Sequence, residues 1–340
     1  MNFWQQLKKP IFALAPMEDV TDCAFREIFA KYGKPDVMFT EFLNVDGLLH
    51  PEGFKRLKID LSYTENQRPI VAQIWGRDPE KFLKAAALLK EMGFDGVDIN
   101  FGCPQDKEIA QKTCAALIRE PKLAGEIILA TGEGAEGLPV SVKTRLGYSV
   151  PEEMEEWVSH LLKFKLVAIA IHARTKQEKS KTPAHWGKIK EAVAVRNYEL
   201  RSMNPELRTL IIGNGDIHSR EEGLRRVRET GCDGVMVARG AFGNPWIFRE
   251  QGVDGHGVNL QAIKANEYYP SVKEKLQVML EHARLYEKLF VGVKPFVIMR
   301  KNFKAYASGF EHAPALRAKL METKNLEEVE KITAEFLKGV

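Results

Sequence analysis

The stretch with the most chemistry in its spacing is Asp98-Ile99-Asn100-Phe101-Gly102-Cys103-Pro104. Side chains alternate along a strand, so Val97, Ile99 and Phe101 share one apolar face while Asp98 and Asn100 share the other. Gly102 and Pro104 break the strand and leave the Cys103 thiol at its carboxyl end. No Cys-His-Asn order of the kind thiol hydrolases use accompanies it. A thiol near its reference pKa of about 8.5 is mostly protonated at neutral pH and can donate a proton. The ordinary alternative is a core cysteine beside a helix cap, since free Cys is among the most buried residue types.

Other short runs end in the same way. Ala15-Pro16-Met17 closes one; Gln73 and Trp75 share a face of the next; Ser141-Val142-Lys143-Thr144-Arg145 puts Lys143 and Arg145 on one face. Ala170-Ile171-His172-Ala173-Arg174 does the same with His172 and Arg174, and Ile212-Gly213-Asn214-Gly215-Asp216 supplies Asn214 and Asp216. The last run ends at Ala238-Arg239-Gly240. One buried Lys can be a structural ion pair and one His a satisfied core residue. Polar residues recurring at matching strand ends point instead to a shared site.

The elements that position these residues follow from the pattern. Eight apolar runs recur: Ile11–Met17, Val37–Phe42, Ile70–Gly76, Gly96–Gly102, Val140–Gly147, Val167–Arg174, Leu210–Ile217 and Gly234–Gly240. Amphipathic segments such as Pro79–Met92, Pro151–Phe164 and Ser219–Thr230 separate them, the last opening with the capping-box pair Ser219 and Glu222. Strand and helix in strict alternation predict an α/β fold, a closed (β/α)8 TIM barrel with its site at the carboxyl ends of the strands. An open doubly wound sheet is the runner-up, and the missing Gly-x-Gly-x-x-Gly after the first run counts against it. In such barrels the loops after strands seven and eight commonly hold phosphate. Here Gly213-Asn214-Gly215 and Ala238-Arg239-Gly240 let backbone approach a ligand closely, and Arg239 adds charge. A phosphorylated ligand is expected, with Lys143 and His172 facing its middle.

After residues 250–260, which read as a linker, only helical patterns remain: Val272–Phe290, Pro295–Ala307 and Leu326–Leu337. The expected division is a catalytic barrel over 1–250 and a smaller all-helical domain over 258–340. Residues 260–340 hold 14 Lys or Arg against 10 Asp or Glu, which accounts for the whole formal charge of +4. Within 284–304 stand Arg284, Lys288, Lys294, Arg300, Lys301 and Lys304 against Glu287 alone, which reads either as a solvated face or as the footprint of a polyanion partner. No apolar run approaches the roughly 20 residues of a membrane span, and the first ten residues lack signal-peptide anatomy. Cys23, Cys103, Cys114 and Cys232 form no Cys-x-x-Cys pair, so neither a disulfide framework nor a metal site is indicated and a reducing cytoplasm fits.

Taken together and in order, these motifs resemble the tRNA-dihydrouridine synthase family over nearly the whole chain. Ala15-Pro16-Met17 with Val20-Thr21-Asp22 and Ala24-Phe25-Arg26 is similar to the family's opening motif. Asp98-Ile99-Asn100 with Gly102-Cys103-Pro104 is similar to its catalytic motif. Val142–Gly147, His172–Thr175, Gly213–Asp216, Ala238–Ala241, Met299-Arg300-Lys301 and Leu326–Val329 resemble the later ones. The resemblance implies an FMN enzyme reduced by NADPH. Pro16, Met17, Gln73, Lys143 and His172 would surround the ring and ribityl chain, and Asn214, Gly215, Asp216, Ala238, Arg239 and Gly240 the lower chain and phosphate. A hydride would pass to carbon 6 of an everted uracil and Cys103 would protonate carbon 5, with Asn100, Lys143, Arg145 and Arg174 orienting the base. Lys294, Arg300, Lys301 and Lys304 would hold the tRNA backbone. No stable protein partner is implied, so a monomer is expected.

The chain departs from the family pattern at Gln111-Lys112-Thr113-Cys114, where glycines are usual, at Ser180, where Tyr is frequent, and at His185, where Asp is frequent. Cys114 thereby becomes a second candidate acid, against the reading of a helix-buried thiol. Two rival functions are a flavin barrel that reduces a small molecule, of the dihydroorotate dehydrogenase kind, and a tRNA-binding module without chemistry. The first leaves the basic helices unexplained, and the second leaves Cys103 and the polar strand ends unexplained.

Overall fold

Strand-forming residues with no polar face outward need cover on both sides, and the chain supplies it. A computed structural model describes residues 2–202, 204, 208–249 and 268–339. Its strands are β1 (Ile11–Leu14), β2 (Met38–Asn44), β3 (Ile70–Trp75), β4 (Gly96–Phe101), β5 (Val140–Arg145), β6 (Ala168–His172), β7 (Leu210–Asn214) and β8 (Gly234–Val237). All pair in parallel in the order β1-β8-β7-β6-β5-β4-β3-β2. A bridge between Ala13 and Val37, with Leu14 N–H donating to Val37 O at 3.0 Å, joins the two ends and closes the TIM barrel.

The barrel has two cores. Val97, Ile99 and Phe101 face outward and pack with the surrounding helices, and Trp157 lies edge-on to Phe101. Inside, Ile11, Ala13, Val37, Phe39, Val71, Ala168, Leu210, Ile212 and Met236 fill the amino-terminal part, joined by Trp4. This apolar plug forces the polar residues of the strands into the carboxyl-terminal half.

Several expected runs overshoot their strands. The run ending at Met17 leaves the sheet at Leu14, and the run ending at Gly240 leaves it at Val237. The surplus residues are the site loops, where backbone pairing stops before the polar pattern does. The helix expected over Pro151–Phe164 begins with a 3-10 turn, Pro151–Glu153, and becomes α-helical only over Met154–Leu161. The Glu153 carboxylate accepts from the backbone N–H groups of Tyr148, Ser149 and Val150, which fixes that turn. Ser219 caps its helix by accepting from Glu222 N–H at 3.0 Å, but the Glu222 carboxylate accepts from His218 N–H rather than completing the capping box.

The expected linker at 250–260 lies outside the described residues. Beyond it run the helix Val272–Phe290, the turn Phe296–Met299 and the helices Arg300–Tyr306, Ala313–Leu320 and Leu326–Leu337. The pattern over Pro295–Ala307 thus splits in two, and Ala313–Leu320 was not anticipated. These helices are not tethered loosely. Their core includes Cys23, Ala24 and Ile28 of the barrel helix Cys23–Tyr32, together with Trp246. Glu281 accepts from Lys31 and from Tyr32, each at 2.6 Å. Among the described residues no helix is long and apolar enough to cross a membrane.

Candidate active site

Register dictates the first half of the site. Gln73 pairs with Asp98, Asp98 with Ser141 and Asn100 with Lys143 across β3, β4 and β5. Three adjacent strands therefore turn polar side chains into the barrel at one level. Gln73 Nε2 donates to Asp98 Oδ2 at 2.6 Å, and Ser141 Oγ to Asp98 Oδ1 at 2.5 Å. Asn100 Nδ2 donates to Gln73 Oε1 at 2.9 Å. Asn100 Oδ1 then accepts from the N–H groups of Gly102 and Cys103, both at 2.9 Å. This Asx-type turn ends β4 and fixes the backbone of Cys103, so the thiol's place is set by a largely buried network. Arg145 reinforces it: its Nε donates to Gly102 O at 2.7 Å and its Nη1 to Thr175 O and Lys179 O.

Cys103 is half-buried at the barrel mouth, whereas Cys114 is fully buried; all four cysteines are free thiols. Cys114 is therefore shielded from anything that enters the mouth, which answers its candidacy as the acid.

The low dielectric here moves charges toward neutrality. Burial raises the Asp98 carboxyl to about 6, despite hydrogen bonds from Ser141 and Gln73. Burial and the neighbouring Arg145 lower the Lys143 ammonium to about 8, and burial lowers Arg145 to about 10. His172 is held well below the ordinary imidazole value by burial and by Arg145, Lys143 and Arg174, so it is neutral. Its Nε2 lies 3.1 Å from Arg174 Nη1. A guanidinium only donates, so Nε2 accepts and the ring proton sits on Nδ1.

The second half of the site gathers after β6, β7 and β8. Arg174 donates to Thr182 O at 2.6 Å and pairs with Asp216, whose other oxygen accepts from Arg239 at 2.7 Å. Asn214 Nδ2 donates to Met236 O at 2.7 Å, tying β7 to β8. Gly215 has φ +130 and Asp216 φ 52, so the chain turns sharply there. His172, Asn214, Gly215, Asp216, Ala238, Arg239 and Gly240 all line one cleft. A Cβ on Gly240 would stand 2.1 Å from Ile217 O, so only glycine lets the loops after β7 and β8 meet. Pro16 is buried and Met17 half-buried at the end of β1, and Met17 exchanges hydrogen bonds with the Thr21 hydroxyl.

Of the four basic residues expected to hold a polyanion, two are turned to the protein. Lys294 is only 13% exposed and lies 3.0 Å from Glu41 and 2.5 Å from Asp60. Arg300 donates to the carbonyls of Thr323 and Glu322, just beyond the end of the later helix Ala313–Leu320. Lys301 stands 3.8 Å from Asp19, and Lys304 is exposed. The departures at Ser180 and His185 fall in the loop after β6. Ser180 is exposed, and His185 lies 2.6 Å from Glu178. Burial works against the Glu178 carboxylate, but Thr175 N–H, His185 and Thr182 hold it at about 2.

Asp98 and Ser141 were placed on their strands but given no role, and Glu41 and Asp60, the partners of Lys294, were not anticipated. Among the described residues no group of His, Cys, Asp and Glu side chains could hold a metal ion.

Comparison with known proteins adds the following. Residues 13–339 match the family model described as Dihydrouridine synthase (Dus). The chain is 40% identical over 336 residues to the "Probable tRNA-dihydrouridine synthase 2" of Bacillus subtilis (strain 168), covering 98% of this chain and 96% of that one. It is 39% identical over 336 residues to the "Probable tRNA-dihydrouridine synthase" of Staphylococcus aureus (strain MRSA252), covering 98% and 95%. Among solved structures, histamine dehydrogenase from Rhizobium sp. 4-9 superposes with a TM-score of 0.53 at 13% identity, over 84% of this chain. The chain spans half of that protein's length, and the likeness concerns the fold alone.

Proposed function

The chain belongs to the dihydrouridine synthase family, and on that premise we propose that it reduces a uridine of tRNA to 5,6-dihydrouridine, using FMN and NADPH. The observation that carries this reading is the placement of Cys103 by Asn100 at the mouth of a barrel whose strands β3 to β7 end in polar side chains. On this reading residues 1–250 form the catalytic barrel, residues 258–340 grip tRNA, and the protein works as a monomer in the cytoplasm.

FMN suits the residues present. The cleft after β7 and β8 is lined by Arg239 and by loops whose close approach depends on Gly240, an arrangement that suits a phosphate. Asn214, Gly215, Asp216, Ala238, Arg239 and Gly240 would hold the phosphate end, and Pro16, Met17, Gln73, Lys143 and His172 the remainder. When bound, FMN supplies the hydride that reaches carbon 6 of the pyrimidine, and NADPH restores it. Gly240→Ala is expected to drive the two loops apart and cut FMN retention by roughly tenfold or more. The flavin-to-protein absorbance ratio after dialysis measures it; a ratio equal to that of the parent protein contradicts the assignment.

The protein's own residues do the rest. Cys103 gives its proton to carbon 5. Lys143, at about 8, is still mostly protonated at neutral pH and offers a cation to a carbonyl oxygen of the base. Arg145 is committed through Nε and Nη1 to three carbonyls, so it acts by its charge and by bracing the Cys103 loop. Asn100 and Arg174 complete the set that orients the base. Extruding a uridine costs a few kcal/mol, which phosphate contacts elsewhere must offset. Lys301 and Lys304 are proposed for that task, with Arg300 contributing charge from a fixed position. Lys294 is better explained as an internal ion pair. Lys301→Ala and Lys304→Ala are each expected to weaken tRNA binding and reduce its salt slope by about 1 without changing which nucleotide reacts. Titrations at several salt concentrations measure this, and an unaltered slope in both variants removes these residues from the interface.

The test of the function is direct. FMN-loaded protein is incubated with NADPH and an unmodified tRNA transcript, and nucleosides are read by mass spectrometry. A gain of two hydrogens on uridine is expected. Loaded protein that consumes NADPH but leaves every uridine intact overturns the reading.

A further inference from the structure

One ion pair joins the loops after β4 and β6 beside the Cys103 turn. Lys179, in the loop after β6, holds its Nζ 3.1 Å from each carboxylate oxygen of Asp106, three residues beyond Cys103. Backbone contacts bring it there. Arg145 donates through Nε to Gly102 O at 2.7 Å and through Nη1 to Lys179 O at 2.9 Å. One guanidinium thus spans the residue before Cys103 and the backbone of Lys179, which places Lys179 at the rim of the barrel mouth next to the thiol turn.

The pair is not what shapes the loop after β6. That loop is held by Glu178, which accepts from Thr175 N–H at 2.7 Å and from the Thr182 hydroxyl at 3.1 Å. Lys176 N–H to Gly147 O and Gln177 N–H to Tyr148 O, each at 3.0 Å, tie it to the loop after β5. The Asp106 side chain is 81% exposed, and an exposed pair adds little to stability. The surrounding charge is positive. Among the described residues Lys107, Lys112 and Arg119 after β4, and Lys176 and Lys181 after β6, make no ion pair. With a base in the mouth, the sugar and phosphates of its nucleotide lie at this rim.

We propose that Lys179 binds an RNA phosphate next to the everted uridine, and that Asp106 is the internal anion that holds Lys179 in place until that phosphate replaces it. The proposal deepens the function given above and rests on its RNA substrate. A carboxylate and a phosphodiester each carry one negative charge over two equivalent oxygens. An ammonium set 3.1 Å from both oxygens of the first is set to meet those of the second. The exchange leaves Lys179 paired throughout and returns an already exposed Asp106 to water. The long Lys179 side chain is ordered before RNA arrives, which lowers the entropy cost of the contact.

The two members of the pair therefore act on RNA binding with opposite signs. Lys179 favours it, and Asp106 opposes it by competing for the same ammonium. A purely structural ion pair gives one sign only, because either substitution breaks it. The Asp106 carboxyl is held below its ordinary value by Lys179 first and then by Lys176, so the competitor is charged wherever RNA is bound near neutral pH.

The experiment titrates full-length, FMN-loaded protein with a fluorescently labelled, unmodified tRNA transcript at several salt concentrations, and follows dihydrouridine formation in parallel. Asp106→Asn removes the competing charge. Lys179→Gln removes the cation and keeps a long side chain on the left-handed backbone there, φ 53. Asp106→Asn is expected to tighten binding by roughly threefold, and Lys179→Gln to weaken it by roughly threefold to tenfold with a salt slope smaller by about 1. Both changes should appear in KM for tRNA rather than in kcat. In the double variant the gain from Asp106→Asn should vanish, since it acts only through Lys179. Weaker or unchanged binding by Asp106→Asn overturns the proposal. So does a gain that survives in the double variant, which would make Asp106 one more repelling charge and nothing else. If the parent forms dihydrouridine and these shifts are absent, the proposal alone falls. If the shifts appear but no protein forms dihydrouridine, the phosphate contact stands and the proposed function fails instead.

Discussion

On the proposed function, Cys103→Ala is expected to retain FMN and to lose dihydrouridine formation by roughly a hundredfold to ten-thousandfold, the usual worth of a general acid in place. The substitution should leave the residues proposed for the cofactor in place, because the turn that carries Cys103 is fixed through backbone: Asn100 Oδ1 accepts from Cys103 N–H, and Arg145 holds Gly102 O. Only the proton is removed. The loss should therefore lie in kcat, while NADPH still reduces the bound flavin at the rate of the parent protein. Single-turnover kinetics separate the two steps: flavin reduction is followed by absorbance and uridine reduction by quenched samples. A Cys103→Ala protein as active as its parent would falsify the role of this thiol. Loss of flavin in the variant would reassign Cys103 to binding.

The second large effect is on stability. Lys294→Ala is expected to cost about 3 kcal/mol or more at pH 8, because it leaves Glu41 and Asp60 without their cation in a nearly closed site. Burial disfavours the Lys294 ammonium, but Glu41 and Asp60 more than offset that and hold it protonated. Glu41, raised to about 7 mainly by burial, decides the pH dependence. Its folded value lies above the unfolded one, near 4.5. The folded chain thus binds the extra proton between those values, and stability falls as pH rises through that window. Without Lys294 the folded value climbs further and the loss continues above pH 7. The deficit of the variant relative to the parent should accordingly shrink as pH is lowered from 8 to 6. Urea denaturation at the two pH values measures it. A variant as stable as its parent at pH 8, but weaker for tRNA, would return Lys294 to the RNA surface.

Lys294 also shows where reading the sequence stops. Its neighbours in the chain, Lys288, Arg300, Lys301 and Lys304, make it look like one more exposed cation. Its partner Glu41 is 253 residues away on β2, and counting charge along a segment cannot register a counter-ion that distant. The barrel was legible for the opposite reason. Each strand carries its own instruction in a period of two, so Asp98 and Asn100 point inward while Val97, Ile99 and Phe101 point outward. The polar strand ends could be placed at one mouth because parallel strands share one direction. What the pattern could not supply was the set of links between loops: Arg145 to Lys179 O, Arg174 to Thr182 O, and Ala115 N–H to Cys103 O. These depend on how irregular segments fold back, and no periodicity encodes that.

The shared helix Cys23–Tyr32 has one more consequence. Its Phe25 belongs to the barrel core, while Cys23, Ala24 and Ile28 belong to the core of the C-terminal helices. His282 is wedged between Phe25 and Tyr306, and Lys294 clamps the far side through Glu41 on β2. The helices and the barrel thereby behave as one solid piece. On the proposed function, the span from Lys301 and Lys304 to the Cys103 sulfur is then a ruler of fixed length, and the nucleotide that is modified is whichever one that length selects along a folded RNA.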